Sequence, residues 1–187
     1  MLPIMPSALI PLADGVEEME AVIIIDTLRR AEWSVTSAVV QQKTVKASRG
    51  VILIADTMWS EAALDDFDIL VIPGGADGAD TLSGIPEVLD SLRRFHQQNK
   101  PVAAICAGPL VLQAAGLLDD VRVTCHPGVS EQLHCARVDE RVVIDKGVIT
   151  SQAPGTAFEF ALAIIEYVQG VEAADRIRPP LVLPEAR

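Results

Sequence analysis

Short apolar runs rich in β-branched residues alternate along the chain with segments of helical periodicity. The apolar runs are nearly continuous and are bounded by Gly, Pro or Asp, which is typical of strands buried on both faces. They lie at 8–12, 35–40, 51–54, 69–72, 102–105 and 148–150. Between them, charged or polar residues recur at helical spacing at 16–31, 86–98, 109–117 and 156–169. Pro86 predicts the first turn of a helix, and Gly170 predicts a helix end.

This alternation of strands and helices predicts right-handed βαβ crossovers and a mostly parallel sheet covered on both faces. We therefore predict one α/β domain over residues 1–187, a flavodoxin-like three-layer α/β/α sandwich. Segments 121–126 and 137–150 are expected to form a small additional β-ribbon, with a tight turn at 145–147. The proline-rich tail at 178–184 is expected to be extended and not helical.

Composition narrows the class of protein. Half of the 187 residues are hydrophobic, which is enough for a core without disulfides. Three cysteines and no signal-peptide pattern favour a reducing compartment, the cytoplasm. No apolar run reaches the length of a membrane span. A net charge of −11 without a basic stripe makes nucleic acid an unfavourable ligand, so we expect neither a membrane nor a nucleic-acid partner.

The segment 101–109, Pro-Val-Ala-Ala-Ile-Cys-Ala-Gly-Pro, carries the most specific chemical signal. An apolar strand runs into Cys106, small residues follow, and Pro109 opens a helix, which is the construction of a nucleophile elbow. The helix terminus is expected to lower the pKa of the thiol and to offer N–H groups to an oxyanion. The alternative is that Cys106 is a small buried hydrophobic residue. Its place at the carboxyl end of a parallel strand favours the functional interpretation.

A Pro-Gly-Gly turn follows the strand at 69–72. Gly74 and Gly75 permit positive φ and a close backbone approach, so their N–H groups are candidates for an anion pocket shared with Cys106. Most such turns have no further role. No phosphate-loop or dinucleotide motif is present, and no cofactor is implied.

The acidic run at 17–20, Glu-Glu-Met-Glu, opens the first helix. Capping and the helix dipole account for Glu17 and Glu18. Glu20 lies about one turn further in, where capping explains it less well. A carboxyl group buried beside a thiolate has a raised pKa, which suits proton transfer near neutrality. From the residues alone, capping and catalysis both stay open for Glu20.

Two of the three histidines invite a chemical role. His126 closes a short strand before a proline turn, where it is a candidate acid, base or oxyanion donor, although such a residue is more often simply at the surface. Cys125 and His126, together with His134 and Cys135, invite a zinc site. Adjacent residues in a strand point to opposite faces, so this spacing disfavours one and we expect no metal. His96 is expected to be solvated.

Six motifs in order give the chain a family resemblance. Besides the acidic run at 17–20, they are Ser-Arg-Gly at 48–50, Pro-Gly-Gly at 73–75, the elbow at 103–109, Thr-Cys-His-Pro at 124–127 and the segment 150–161. Together they resemble the deglycase branch, associated with parkinsonism, of the DJ-1/PfpI superfamily. The resemblance covers nearly the whole chain.

The resemblance implies a flavodoxin-like homodimer with a reactive cysteine. By motif position, Cys106 matches the nucleophile, Glu20 the carboxylic acid touching it and His126 a nearby histidine. Gly75 and Ala107 match the positions whose N–H groups form the oxyanion pocket. Ala107 also stands where peptidase members carry His, which counts against proteolysis. Two further positions differ from some relatives, with Gln152 in place of Arg and Ala47 in place of a second cysteine.

Two functions follow from the resemblance. The first is a cofactor-independent glyoxalase or deglycase, in which Cys106 attacks methylglyoxal, glyoxal or their early adducts and lactate or glycolate is released. The second is a redox-responsive stress protein or chaperone, in which Cys106 is oxidised to sulfinate. The partners implied are small reactive aldehydes or glycated adducts and a second copy of the chain. An apolar helix face is formed by Val22, Ile23 and Ile25. This face could equally form the dimer interface or pack against the sheet.

Overall fold

The computed structural model describes residues 5–184, so the ends of the predicted domain at 1–187 lie outside the described residues. The strands in this part of the chain are β1 (Ser7–Pro11), β2 (Ser34–Val39), β3 (Thr44–Lys46), β4 (Ile52–Ile54), β5 (Thr57–Met58), β6 (Ile69–Ile72), β7 (Val102–Ile105), β8 (Val142–Asp145) and β9 (Val148–Ser151). The α-helices are α1 (Glu18–Arg30), α2 (Ala76–Ser83), α3 (Pro86–Gln97), α4 (Pro109–Ala114), α5 (Ala157–Gln169) and α6 (Val171–Leu181).

Seven strands form one sheet in the order β5-β2-β1-β6-β7-β9-β8. Neighbouring strands are parallel except at the β8–β9 hairpin on one edge. Helices α1, α5 and α6 contribute to the core on one face, while α2, α3 and α4 contribute to the core on the other. Every residue of β6 and β7 is buried because both faces are covered. The predicted three-layer α/β/α fold is confirmed.

Helix boundaries follow the local chemistry that the sequence suggested. Pro86 is the first residue of α3, where its missing N–H costs nothing. Val88, Leu92 and Phe95 lie on one face of α3 at helical spacing, and all three are buried. Helix α5 ends at Gly170, whose φ of +95° suits glycine.

The small ribbon is present but is not where the sequence placed it. It consists of β3 and β4, paired antiparallel outside the main sheet. The run at 51–54, predicted as a buried strand, therefore supplies an exposed one, and 77% of the surface of Ile54 is accessible. A continuous apolar run does not reveal whether both faces of its strand will be covered, which explains the error.

The segments predicted to form the ribbon have other structures. The one β-bridge between 121–126 and 137–150 within the described residues is the parallel pair Val123 and Arg137, and the other links between them involve side chains or loops. Strands β8 and β9 form a hairpin that extends the main sheet. The tight turn at 145–147 is confirmed, with positive φ at both Lys146 and Gly147.

The expectation of an extended tail is wrong for residues 178–181, because α6 continues to Leu181. Pro179 and Pro180 lie within its last turns. The φ that proline fixes is itself a helical value. Two prolines near the end of a helix remove few of its hydrogen bonds, so the helix can include them. Ile177 is buried on the body of the protein, so packing favours the helix. The helix stops at Val182, which is left-handed.

Candidate active site

Cys106 follows β7 directly and turns the chain into α4. Its φ is +64°, a left-handed conformation that costs a non-glycine residue about 1–2 kcal/mol. The Cys106 N–H donates to the carbonyl oxygen of Ser151 at 3.0 Å. Gly108 permits the turn, since a Cβ there would lie 2.8 Å from the carbonyl oxygen of Ile72. The predicted sharp turn is present, and it holds a partly exposed thiol at the carboxyl end of the sheet.

Two backbone N–H groups face the Cys106 sulfur, those of Gly75 and Ala107. Gly75 has a φ of +93° and is packed so tightly against the first loop that no side chain fits. Gly74 behaves differently from its neighbour, because its N–H donates to Glu20 Oε2 at 2.8 Å. Of the three residues predicted to bind an anion, Gly75 and Ala107 face the thiol, whereas Gly74 positions the carboxyl group.

Glu20 is completely buried beside Cys106. Its backbone N–H donates to the side chain of Glu17, which caps α1 as predicted. Oε1 makes no hydrogen bond with any of the described residues, and the carboxyl group as a whole is in contact with the Cys106 thiol. Burial raises the pKa of Glu20 to about 7, and the charge of Glu17 adds to this effect, while hydrogen bonds from Cys106 and Gly74 oppose it.

The pKa of Cys106 is raised, not lowered as the sequence suggested. Burial is the main cause, and the charge and hydrogen bonding of Glu20 add to it, so that the pKa reaches about 12. The N–H groups of Gly75 and Ala107 lower it but do not compensate. Because the two acids are in contact, they titrate as a pair, which loses its first proton near pH 7. Above that pH the carboxyl group and the thiol share one proton.

His126 lies at the rim of the same site. Its backbone N–H donates to the carbonyl oxygen of Cys106 at 3.0 Å, which ties the two residues together. Nδ1 accepts a hydrogen bond from the N–H of Gly128 at 3.0 Å. In the neutral ring the proton is therefore on Nε2, and the exposed imidazole can donate from that atom.

A cleft of about 420 Å³ opens over the thiol. Its lining includes the predicted residues Gly75, Cys106, Ala107 and His126. Three charged residues complete it: Glu17, Arg49 and Asp77. Gly74 and Glu20 are buried beneath this lining, next to Cys106. The cleft therefore exposes the sulfur while it keeps the neighbouring carboxyl group away from water.

Glu18 has a role that the sequence did not indicate, because capping seemed sufficient to explain it. Its carboxylate accepts hydrogen bonds from Ser48 Oγ at 2.9 Å and from the N–H of Arg49 at 2.9 Å. Burial alone would raise the pKa of Glu18, but hydrogen bonds from its own backbone and from this loop lower it overall. Glu18 thus fixes the loop that carries Arg49 into the cleft. The one related signal in the sequence is the Ser-Arg-Gly motif at 48–50, which marks the loop but not its contact with Glu18.

Other residues singled out in the sequence lie away from the thiol. Cys125 is buried and its Sγ donates to the carbonyl oxygen of His126 at 3.3 Å. His134 and Cys135 line a separate hollow. Gln152 donates to Asp139 at 3.0 Å.

Three further observations bear on the sequence expectations. Ala47, the other position that differs from some relatives, is buried in the core, and His96 is exposed as expected. Among residues 5–184 no group of three or more His, Cys, Asp or Glu is placed to hold a metal ion. None of the helices in the described part of the chain is long and apolar enough to cross a membrane.

Known proteins resemble this chain over most of its length. It is 42% identical over 170 residues to Protein DJ-1 homolog B of Arabidopsis thaliana, covering 89% of this chain and 39% of that protein. The chain spans less than half of the length of this relative and of homolog A from the same plant. It is 38% identical over 181 residues to the glutathione-independent glyoxalase DJR-1.2 of Caenorhabditis elegans, covering 95% and 96% of the two chains.

Solved structures agree with these sequence matches. The structure described as oxidized Toxoplasma gondii DJ-1 superposes with a TM-score of 0.90 at 38% identity, covering 94% of this chain and 97% of that one. The model of the DJ-1/PfpI family matches residues 6–167, which include the elbow, the acidic run and the Pro-Gly-Gly turn. The chain belongs to the DJ-1/PfpI family.

Proposed function

We propose that this protein is a glutathione-independent glyoxalase or deglycase, acting on methylglyoxal, glyoxal or their early adducts. The observation that carries the proposal is the contact between the Cys106 thiol and the buried carboxyl group of Glu20, which share one proton near neutrality. A nucleophile and a proton carrier are thereby held against one substrate site. The glyoxalase named among the relatives supports this choice.

The first step is addition of the sulfur to the aldehyde. When the shared proton is on Glu20, Cys106 is a thiolate, and it forms a bond to the aldehyde carbon of methylglyoxal. The carbonyl electrons move to oxygen, which takes up the proton of Glu20. The N–H groups of Gly75 and Ala107 stabilise the anionic sulfur and then the developing oxyanion beside it. His126, at the rim of the site, donates a hydrogen bond from Nε2 to the same oxyanion.

The second step moves a proton between carbons. Glu20, now ionised, removes the proton from the former aldehyde carbon, and an enediolate forms. The proton returns to the neighbouring carbon, and the hydroxyl proton of the first carbon passes to the oxygen of the second, so that the first carbon is oxidised to a thioester and the second is reduced to an alcohol. Water then cleaves the resulting thioester, releasing lactate and the thiol. The sum is methylglyoxal plus water giving lactate and one proton, with no external oxidant or cofactor.

Product analysis tests this proposal. Purified protein given methylglyoxal without glutathione is expected to form one lactate for each methylglyoxal consumed, measured by proton NMR. Replacement of Cys106 by Ser keeps the shape of the elbow but is expected to abolish turnover. Consumption of methylglyoxal without lactate would contradict the mechanism.

A second function is favoured by the same two N–H groups, which are placed to hold an oxidised sulfur. In this alternative, two peroxide molecules each deliver one oxygen to Cys106 and leave as water, giving a sulfinate bound by Gly75, Ala107 and protonated Glu20. Mass spectrometry after mild peroxide treatment is expected to find two added oxygens on Cys106, and fewer in Glu20→Gln. Prior oxidation of Cys125 or Cys135 would exclude this sensor role.

The proposal also includes a homodimer. Apolar side chains are exposed on α1 and on the β3–β4 ribbon, notably Met19 and Ile54. Glu18 joins these two elements through the 48–49 loop, so both belong to one region of the surface. Light scattering is expected to give a dimer, and Ile54→Glu a monomer. Ile144→Glu, which changes an exposed apolar residue of the edge strand β8, is the control and should stay dimeric.

The cytoplasm remains the proposed location, since the mechanism requires a reduced Cys106. Cys125 and Cys135 are also free thiols in the structure. Labelling of intact cells with a thiol reagent that does not cross membranes tests the assignment, and the protein is expected to escape modification until the cells are lysed.

A further inference from the structure

A second hollow adjoins the cleft over Cys106. This hollow, the α2–α4 groove, has a volume of about 340 Å³ and lies between α2, α4 and the loop after His126. Ala76, Ala107 and Val129 line both it and the cleft. A group bonded to a carbon held at Cys106 can therefore extend into the groove. A three-carbon aldehyde leaves most of this space empty, whereas pockets of this size suit larger ligands.

The loop wall of the groove is fixed in place by one side chain of α4. Gln113 donates from Nε2 to the carbonyl oxygen of Gln132 at 3.0 Å, and its amide oxygen accepts the N–H of His134 at 2.6 Å. The groove is thus formed before any ligand arrives, and a ligand does not have to order the loop.

The chemistry of the groove indicates what it binds. Leu110, Ala114 and Val129 give apolar contact, and Ser83 adds a hydroxyl group. Asp80 is the only Asp, Glu, Lys or Arg in the lining. Its carboxylate makes no hydrogen bond or ion pair to any residue between 5 and 184, so its charge is available to a ligand.

The charged residues at the mouth of the cleft are also negative overall, like Asp80 in the groove. Glu17 and Asp77 line the cleft together with one cation of the Lys or Arg type, Arg49. With Asp80 added, the combined surface has more carboxylates than cations. A carboxylate or sulfonate in the groove would be repelled, while an ammonium or guanidinium group would be attracted.

We propose that the α2–α4 groove binds the thiol- or amine-derived part of an aldehyde adduct, and that it selects parts that carry positive charge over those that carry negative charge. This inference rests on the proposed glyoxalase or deglycase function, because it names the adduct class for that same site. Asp80 is the residue that determines the charge preference.

Three stable thioethers test the proposal. Each carries an acetonyl group on sulfur and a second arm that ends in trimethylammonium, hydroxyl or sulfonate, and none can release methylglyoxal. Calorimetry at low salt is expected to give binding to wild type about three- to tenfold tighter for the cation than for the sulfonate. Asp80→Asn is expected to reduce that ratio about threefold.

Two further variants complete the experiment. Asp66→Asn removes the same charge near the amino end of β6 and is expected to keep the wild-type ratio. Ala114→Tyr fills the exposed wall of the groove and should weaken binding of all three thioethers. Sulfonate binding as tight as cation binding, or equal ratios in Asp80→Asn and Asp66→Asn, would overturn the inference. Because binding is measured directly, absence of methylglyoxal turnover would refute the proposed function separately.

Discussion

Cys106 and Cys125 are two thiols of one protein with nearly opposite surroundings. Burial raises the pKa of both. Cys125 is enclosed in the core, where its Sγ donates to a carbonyl oxygen, and the nearby Arg137 guanidinium only partly opposes the effect of burial on its pKa. Cys106 is open to a cleft and meets two N–H groups and the carboxyl group of Glu20. The comparison teaches that a raised pKa does not by itself distinguish the two thiols, and that the backbone turn, the open cleft and the neighbouring acid separate the reactive thiol from the structural one.

The largest expected effect is on alkylation. Iodoacetamide at neutral pH should modify Cys106 about a thousandfold or more faster than Cys125, since Cys125 reacts only after local unfolding. Peptide mapping by mass spectrometry at timed intervals measures both rates in one sample. Comparable rates would show that the cleft gives Cys106 no advantage.

Removal of the acid is the next test. Glu20→Gln is expected to reduce turnover of methylglyoxal about a hundredfold or more, because the proton carrier is lost. In the wild-type protein, turnover should rise with pH through about 7, where the pair loses its first proton and a thiolate becomes available. Steady-state rates between pH 5.5 and 8.5, a range in which the protein must stay folded, give the pH profile. Glu18→Gln is the control and should keep the rise in turnover near pH 7. If the same rise is also present in Glu20→Gln, the assignment of this pKa to Glu20 is contradicted.

The same carboxyl group makes stability depend on pH. Its pKa rises from 4.5 when unfolded to about 7 when folded, so the folded state binds its proton more tightly. That stabilisation, about 3 kcal/mol, is complete below pH 4.5 and is lost as the pH rises to 7. We expect Glu20→Gln to be more stable than wild type at pH 8 by up to this amount. Urea unfolding at pH 5 and 8 measures the change, and an equal pH dependence in both proteins would refute it.

The smallest effect concerns the structural thiol. Cys125→Ala should lower the free energy of unfolding by about 1 kcal/mol, because a completely buried side chain loses contacts. The turnover of this variant should stay within about twofold of wild type. A large loss of activity with intact folding would mean that Cys125 also supports His126.

Local sequence was sufficient where local geometry decides the structure. Cys106 between an apolar strand and Pro109 predicted the elbow, and the same kind of pattern predicted β6 and β7. The run at 51–54 has a similar composition, yet it is exposed in the ribbon, because coverage of a strand is decided by the rest of the fold. Helix α6 shows the converse, since packing of Ile177 overrides a composition that disfavours a helix.

The missed parts of the site depend on contacts between distant residues. The hydrogen bond from the Arg49 N–H to Glu18 and that from the Gly74 N–H to Glu20 join positions that no periodicity links. The direction of the pKa shift at Cys106 also depends on Glu20 and on burial, which local sequence does not give. The helix terminus alone suggested the wrong sign. The extent of the domain at 1–187 and the roles of the site residues stay predictions.

Methylglyoxal turnover without glutathione, compared between Cys106→Ser and Cys125→Ser, tests the central claim most directly. Both substitutions replace sulfur by oxygen, and they differ only in the surroundings of the thiol. We predict that Cys125→Ser forms lactate at close to the wild-type rate, while Cys106→Ser forms none above the uncatalysed background. Equal turnover by wild type and Cys106→Ser would contradict the account.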